Sequence, residues 1–371
     1  MNQADFDIVV IGAGVIGLAV ARQLSAAGRS VLLAEREDQF GAGASSRNTG
    51  CIHAGAYYHA GSLKAQLCVR GRRMLYDHCS RFNVPHRKTG KIFLATDAEY
   101  VRGLETIKHL AAANGIDDLI EIDGADIGAL ESHLTGVAAL LCPESGVVDS
   151  HALMLSLLGL GENEGLTFVT RATVNKGQPV SGGWDINISG AEEAVIKAKL
   201  VINAAGIWAS DLSRSVFPNR IVPKPKPVKG SYLRLTGAAL VSRIIYPDLI
   251  PGEITERVDA TPGIDGQLRF GPSVDVTDSL EDYRVADGLT ERFGPLIKRY
   301  LPECETSRLV PDFAGIRPKV MTEPGEMPDF LFDWAEEAGW LDLWGIESPG
   351  LTCALAVAEH VEGLVKERGF V

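Results

Sequence analysis

The chain has no run of 18 apolar residues, so no segment reads as a transmembrane helix. It has no CxxC pair either. Its six cysteines (Cys51, Cys68, Cys79, Cys142, Cys304 and Cys353) are scattered, which excludes a zinc knuckle and a dithiol redox motif. They read as reduced, mostly buried thiols of a cytoplasmic protein. No His, Cys and Asp set has ligand spacing, so no metal is expected. The opening MNQADFD is acidic and leads straight into a strand, unlike a signal peptide. Basic residues are in deficit: 36 Lys plus Arg against 48 Asp plus Glu leave a net charge of −12. Such a surface repels nucleic acid and anionic membrane over most of its area. Peripheral membrane contact is left open. An anionic ligand needs a local cluster of cations to overcome that field.

Glycine is what the chain has in excess. Forty of 371 residues are glycine, about 11% against roughly 7% in an average protein. Glycine serves where backbone turns tightly or approaches something closely. Residues 6–11 read as a buried parallel strand, 15–27 as a helix stopped by Gly28, and 30–34 as a second strand. This βαβ unit encloses Gly12-Ala13-Gly14-Val15-Ile16-Gly17. Gly12 permits the turn, Gly14 lets backbone approach a pyrophosphate, and Gly17 lets helix and sheet pack closely. Glu35 closes the second strand, where an acid suits a ribose 2′-OH. The pattern is a dinucleotide site.

Three further segments suit a cofactor longer than NAD. Residues 36–62 form a long Gly- and Ser-rich loop in which Ser45, Ser46, Arg47 and Asn48 offer hydroxyls and one guanidinium. The strand 199–204 runs into Ala204-Ala205-Gly206. The turn 345–352 opens a last helix, 350–367, at Gly350-Leu351-Thr352. A helix N-terminus favours the negative charge that builds on a reduced flavin. Non-covalent FAD is therefore the expected cofactor. Helices are expected at 63–82, 98–114 and 150–160. Strands are expected at 91–96, 167–175, 184–189, 199–204 and 340–346, and 231–275 reads as strand-rich. Pro223, Pro225 and Pro227 make 221–230 a stiff crossing.

Three strings are long and non-degenerate: Ser45 through Gly55 with Tyr57-Tyr58 and Gly61 through Ala65; Gly315-Ile316-Arg317-Pro318-Lys319; and Gly345 through Thr352. On these the chain resembles the L-2-hydroxyglutarate dehydrogenase/oxidase branch of the FAD-dependent family that includes D-amino-acid oxidase, glycine oxidase and glycerol-3-phosphate dehydrogenase. The resemblance implies an α/β (mixed α+β) fold: a Rossmann-like FAD-binding domain with an inserted antiparallel-sheet substrate domain. The expected division is 1–82, 145–220 and 331–371 for FAD, and 83–144 and 221–330 for the substrate cap. It also implies cofactor contacts at Arg36, Val174, Trp208 and Gly315. Thr49, Cys51 and Ala56 depart from the branch pattern.

Oxidising a 2-hydroxy acid removes a hydride from C2 and a proton from the hydroxyl, so the protein supplies a base and a carboxylate clamp. His53 is the expected base, because its intrinsic pKa suits proton transfer near neutrality. Arg317 is the expected clamp, since a guanidinium holds a carboxylate bidentately. A second carboxylate needs a second cation; Lys229 is the choice, with Lys64 and Arg70 as alternatives. Tyr57 and Tyr58 are candidate hydrogen-bond donors to substrate. His59 reads as a rim residue and Cys353 as core packing. The electron acceptor is open between oxygen, quinone and an electron-transfer protein. The competing readings are an amine or amino-acid oxidase of the glycine oxidase type, and a flavin-binding subunit without turnover.

Overall fold

The computed structural model describes residues 4–253, 257–322, 329–335 and 339–370. Residues 1–3 of the acidic lead and 254–256 of the strand-rich stretch lie outside them. No helix among the described residues is long and apolar enough to cross a membrane.

Two sheets dominate. In the first, Thr167–Val169, Val31–Ala34, Phe6–Ile11, Ala194–Asn203 and Trp340–Trp344 lie side by side, each parallel to its neighbour. In Phe6–Ile11 the stretch Ile8-Val9-Val10-Ile11 is continuously apolar and buried because both of its faces are covered. Ile8 and Val10 face the helices Val15–Ala26, Leu63–Arg81, Ser150–Asn163 and Gly350–Glu367. Val9 and Ile11 face Trp184, Phe217 and Trp340 under the antiparallel pair Ala172–Val180 and Gly183–Gly190.

Among the described residues the second sheet has nine strands and is mostly antiparallel. Its members come from two stretches, Lys91–Cys142 and Val228–Arg317, as insertions into the first fold. Side chains alternate across it with period two. Ile92, Leu94, Ile245 and Ala260 enter the core beneath the helix Leu289–Lys298. Phe93, Ala95, Ile244 and Tyr246 face the opposite way, toward Cys51 and Ala54. Lys91 shares the Phe93 face by the same alternation, and so do Asp259 and Thr261 relative to Ala260.

Two expected elements are drawn differently. The stretch 167–175 divides at Arg171, whose φ of +51° breaks the strand. Thr167–Val169 joins the parallel sheet, and Ala172–Val180 pairs with Gly183–Gly190. The crossing 221–230 is not all linker. Lys224–Pro225 pairs with Val320–Met321, and Val228 already begins the strand Val228–Leu235. Alternate prolines leave the N–H of Lys226 free to bond the Lys319 carbonyl at 2.8 Å.

Candidate active site

The groove begins at the end of the first strand. Gly12 has φ +97°, and a Cβ there would lie 2.8 Å from the Ala204 carbonyl. A Cβ on Gly17 would lie 1.8 Å from the Gly12 carbonyl, so only glycine lets the helix start this close to the strand. Glu35 is buried and accepts from the Ala13 N–H at 2.6 Å and the Glu37 N–H at 3.0 Å. The Ser45 hydroxyl accepts from the Val15 N–H at 3.0 Å. Arg36 lies over the Trp208 ring at 3.7 Å.

These residues line a cavity of ≈ 640 Å³ that includes Gly12, Gly14, Glu35, Arg36, Val174, Ala204, Ala205, Gly206 and Trp208. It shares Ile16, Ser45, Arg47 and Ile316 with a second cavity of ≈ 310 Å³. The second is lined by Val15, Asn48, His53, Tyr57, Gly315, Arg317, Gly350 and Leu351, and also by Tyr232, Tyr246, Arg257 and Asp259. Together they form one long trough from the dinucleotide turn to His53. The buried Arg47 Nε and Arg317 Nη1 have no hydrogen-bond partner in the protein. Buried donors of this kind call for an acceptor from a bound group. The trough, its glycine-lined turn and these unpartnered guanidinium atoms fit a long anionic dinucleotide.

His53 is held from three sides. Cys51–Ile52 pairs with Gly146–Val148, which fixes the chain just before it. Its own N–H donates to Thr352 Oγ1 at 3.0 Å, tying it to the last helix. Its ring has Ser348 Oγ 3.3 Å from Nε2, and Tyr57 Oη 3.2 Å and Lys91 Nζ 3.3 Å from Nδ1. Burial pushes the His53 pKa well below its usual value, and the Lys91 charge pushes it further. The ring is therefore neutral at neutral pH. Tyr58 lies behind Tyr57, their hydroxyls 3.3 Å apart.

Arg317 ends the strand Leu309–Arg317, which pairs with Val228–Leu235 so that Gly315 stands opposite Gly230. Both glycines make room. A Cβ on Gly230 would lie 3.1 Å from Arg317 Nη2, and one on Gly315 would lie 2.4 Å from the Arg47 carbonyl. Arg317 Nη2 donates to the Ser273 carbonyl at 3.2 Å.

Four expected residues stand elsewhere. Lys229 does not line either cavity; its Nζ lies 3.2 Å from Asp282 Oδ2. Its neighbour Gly230 faces the cavity, so strand alternation turns Lys229 the other way. Ser46 is exposed on a one-turn 3-10 helix. Gly17 and Thr352 shape the site from behind, through helix packing and the bond to His53. Of the alternatives, Lys64 pairs with Glu347, Arg70 with Glu359, and His59 is exposed. Cys353 is buried in the core like the other five cysteines, none of them in a disulfide.

Lys91, Tyr246, Arg257 and Asp259 were not singled out by motif. Lys91 is 1% exposed, and its Nζ lies 3.8 Å from the centre of the Tyr246 ring. Arg257 is bonded to Asp259. Burial raises the Asp259 pKa, and Arg257, Lys91 and Arg317 pull it back down. The detectable signal was the alternation Arg257-Val258-Asp259-Ala260-Thr261, polar on the cavity side and apolar on the core side.

A Rossmann-type sheet, a trough along its carboxyl edge, and a buried histidine and a guanidinium lining the same end of that trough are the features of a dinucleotide-dependent oxidoreductase. The chain belongs to the FAD dependent oxidoreductase family, whose sequence profile it matches over residues 7–364, and FAD is its cofactor. It is 36% identical to an L-2-hydroxyglutarate dehydrogenase, mitochondrial, of Arabidopsis thaliana, over 96% of this chain and 82% of that protein. It is 28% identical to the Homo sapiens protein of the same name, over 99% and 90%. Among solved structures it resembles a reduced, FAD-bound L-alpha-glycerophosphate oxidase of Mycoplasma pneumoniae, with TM-score 0.88 and 23% identity over 97% and 94% of the two chains.

Proposed function

We propose that the protein oxidises L-2-hydroxyglutarate to the 2-oxo acid. The observation that carries this reading is that His53 and Arg317 line one cavity continuous with the dinucleotide groove. The Gly12–Gly17 turn, Glu35, Arg36, Ser45, Arg47 and the start of the last helix would hold FAD, which when bound would supply the hydride acceptor for C2. Arg317 binds the C1 carboxylate and orients C2. His53, neutral through burial, takes the hydroxyl proton at Nε2. In that tautomer Nδ1–H donates to the Tyr57 oxygen. When Lys91 donates to Nδ1 instead, the ring carries its proton at Nε2 and faces Ser348 as a donor. Tyr232 and Tyr246 stay protonated: burial pushes the first up to about 12 and the second well above its usual value. They bring apolar walls to the cavity and no negative charge.

Anaerobic mixing tests the reading. L-2-hydroxyglutarate should bleach the oxidised flavin band. If no L-2-hydroxy acid bleaches it, the proposal fails; bleaching by glycine or another amino acid alone would assign an amine oxidase. Reoxidation of the reduced enzyme by oxygen, a quinone or an electron-transfer protein then identifies the acceptor.

A further inference from the structure

We infer that Arg257, braced by Asp259, is the seat of the substrate's distal carboxylate, and so selects dicarboxylic over monocarboxylic 2-hydroxy acids. The inference rests on the hydroxy-acid reading of the cavity and goes beyond it, because that reading places only the C1 carboxylate and leaves the distal one without a partner.

Among the described residues, the cavity wall carries three guanidiniums, Arg47, Arg257 and Arg317, and two acids, Asp259 and Glu347. Glu347 is already balanced twice: its Oε1 lies 3.2 Å from Lys64 Nζ and 2.5 Å from Lys319 Nζ. Arg47 belongs to the trough toward the dinucleotide turn, with its guanidinium 3.9 Å from the Tyr283 ring centre. Among the described residues, Asp259 is then the one acid of the wall set against both Arg257 and Arg317. On a chain of net charge −12, this is a local positive surplus beside the expected base. A single carboxylate on Arg317 uses only part of it.

Arg257 suits the second anion in three ways. It lines the cavity just ahead of the strand Ala260–Pro262, while Arg317 lines it from the end of the strand Leu309–Arg317. Asp259 accepts from its Nη1, and the guanidinium lies 5.1 Å from the centre of the Tyr246 ring, so the fork is fixed before substrate arrives. Five donors on a planar fork leave several N–H groups for an incoming carboxylate. Lys229, the other candidate, is turned away and held by Asp282. A monocarboxylic hydroxy acid leaves Arg257 with Asp259 alone and places an apolar tail against a desolvated cation, which binding disfavours.

The test uses FAD-loaded wild type, Arg257→Met and Arg257→Lys. Binding without turnover is read from the oxidised flavin spectrum, with glutarate, valerate and sn-glycerol 3-phosphate as probes. Turnover is read as kcat/KM for L-2-hydroxyglutarate and L-2-hydroxyvalerate. Arg257→Met should lose on the order of 100-fold in kcat/KM on the diacid, the scale of a truncated buried charge contact. The monoacid should change less than about threefold, and glutarate binding should fall in parallel with diacid turnover. Arg257→Lys should lose less on the diacid than Arg257→Met, and it decides the matter alone if the methionine variant does not fold. An unchanged diacid preference, or equal losses on both acids, overturns the inference. Tighter binding of glycerol 3-phosphate than of glutarate by wild type also overturns it, by making the distal group a phosphate. A wild type reduced by no hydroxy acid sinks the functional reading instead, and is recognised before any variant is compared.

Discussion

Lys91 Nζ lies 3.3 Å from His53 Nδ1, and the two side chains come from different parts of the molecule: the strand Lys91–Ala95 of the inserted sheet and the loop that follows Cys51–Ile52. Lys91 is fully buried, with aromatic rings on its flank: Tyr246 at 3.8 Å and Tyr57 at 5.7 Å. A cation placed against an imidazole disfavours the imidazolium. It keeps His53 in the unprotonated form that a proton acceptor needs.

The sign of the consequence follows. With His53 as the proposed base, only its neutral form, present above its folded pKa, accepts the proton, so flavin reduction should fall as pH drops through that value. Burial is the larger cause of the depression and Lys91 the second. Lys91→Met removes the second cause, so the pKa should rise while remaining below its usual value. The acid limb of the rate of flavin reduction should move to higher pH in the variant. Stopped-flow pH profiles of both proteins check it, and a limb that stays put or moves to lower pH contradicts the role.

His53→Ala separates chemistry from binding. Loss of a positioned proton acceptor should slow flavin reduction by roughly 10²–10⁴-fold. Glutarate affinity, read from the flavin spectrum, should change by less than about fivefold, because Arg317 remains. Equal losses in both would reduce His53 to a structural residue hydrogen-bonded to Thr352.

What the sequence made readable, and what it hid, divides by the range of the interaction. The βαβ unit was legible because each of its signals is local: FDIVVI, then Gly12, Gly14 and Gly17, then Glu35 at a strand end. The last helix, Gly350–Glu367, matches its expected bounds for the same reason. Lys91 was invisible because a lysine in a short strand reads as a solvated edge residue. Its burial depends on pairing with Ile244 on one side and Cys142 on the other, both remote in sequence. Lys229 looked right because it sits in a proline-framed string beside Gly230. Only the register Gly230↔Gly315 shows that the glycine, not the lysine, faces the cavity. The strand Leu309–Arg317 was likewise unforeseen, although its last residue, Arg317, was named from its motif.

Gly17→Ala tests the dinucleotide turn. The new Cβ would lie 1.8 Å from the Gly12 carbonyl, a backbone atom that cannot rotate away. Either the helix shifts outward or the turn opens, and both disrupt the phosphate end of the groove. The expected result is a largely apo protein with thermal stability lowered by about 1–3 kcal/mol, the usual cost of forced overpacking. Calorimetry with a flavin-to-protein absorbance ratio measures both. A holoprotein of normal stability would show that the close approach is not required.

The stretch Thr277–Arg284 reaches back from the inserted sheet across the dinucleotide groove. Glu281 lies 3.0 Å from Arg36, the Arg47 guanidinium lies over the Tyr283 ring at 3.9 Å, and Asp282 holds Lys229 at 3.2 Å. Glu281 and Tyr283 both line the larger cavity. Each contact joins a residue of the inserted sheet's connection to a cation beside the expected cofactor, Lys229 excepted, which anchors the stretch to its own sheet. Tyr283→Ala should therefore speed FAD release more than it slows substrate oxidation. A partly exposed cation–π contact contributes about 1 kcal/mol, which corresponds to roughly fivefold in the dissociation constant for FAD. Glu281→Gln removes an exposed ion pair and should have a smaller, salt-sensitive effect. Fluorescence recovery of released flavin after dilution, at low and high salt, gives both numbers. If Tyr283→Ala holds FAD as tightly as wild type while kcat falls, the stretch shapes the reaction cavity rather than retaining the cofactor.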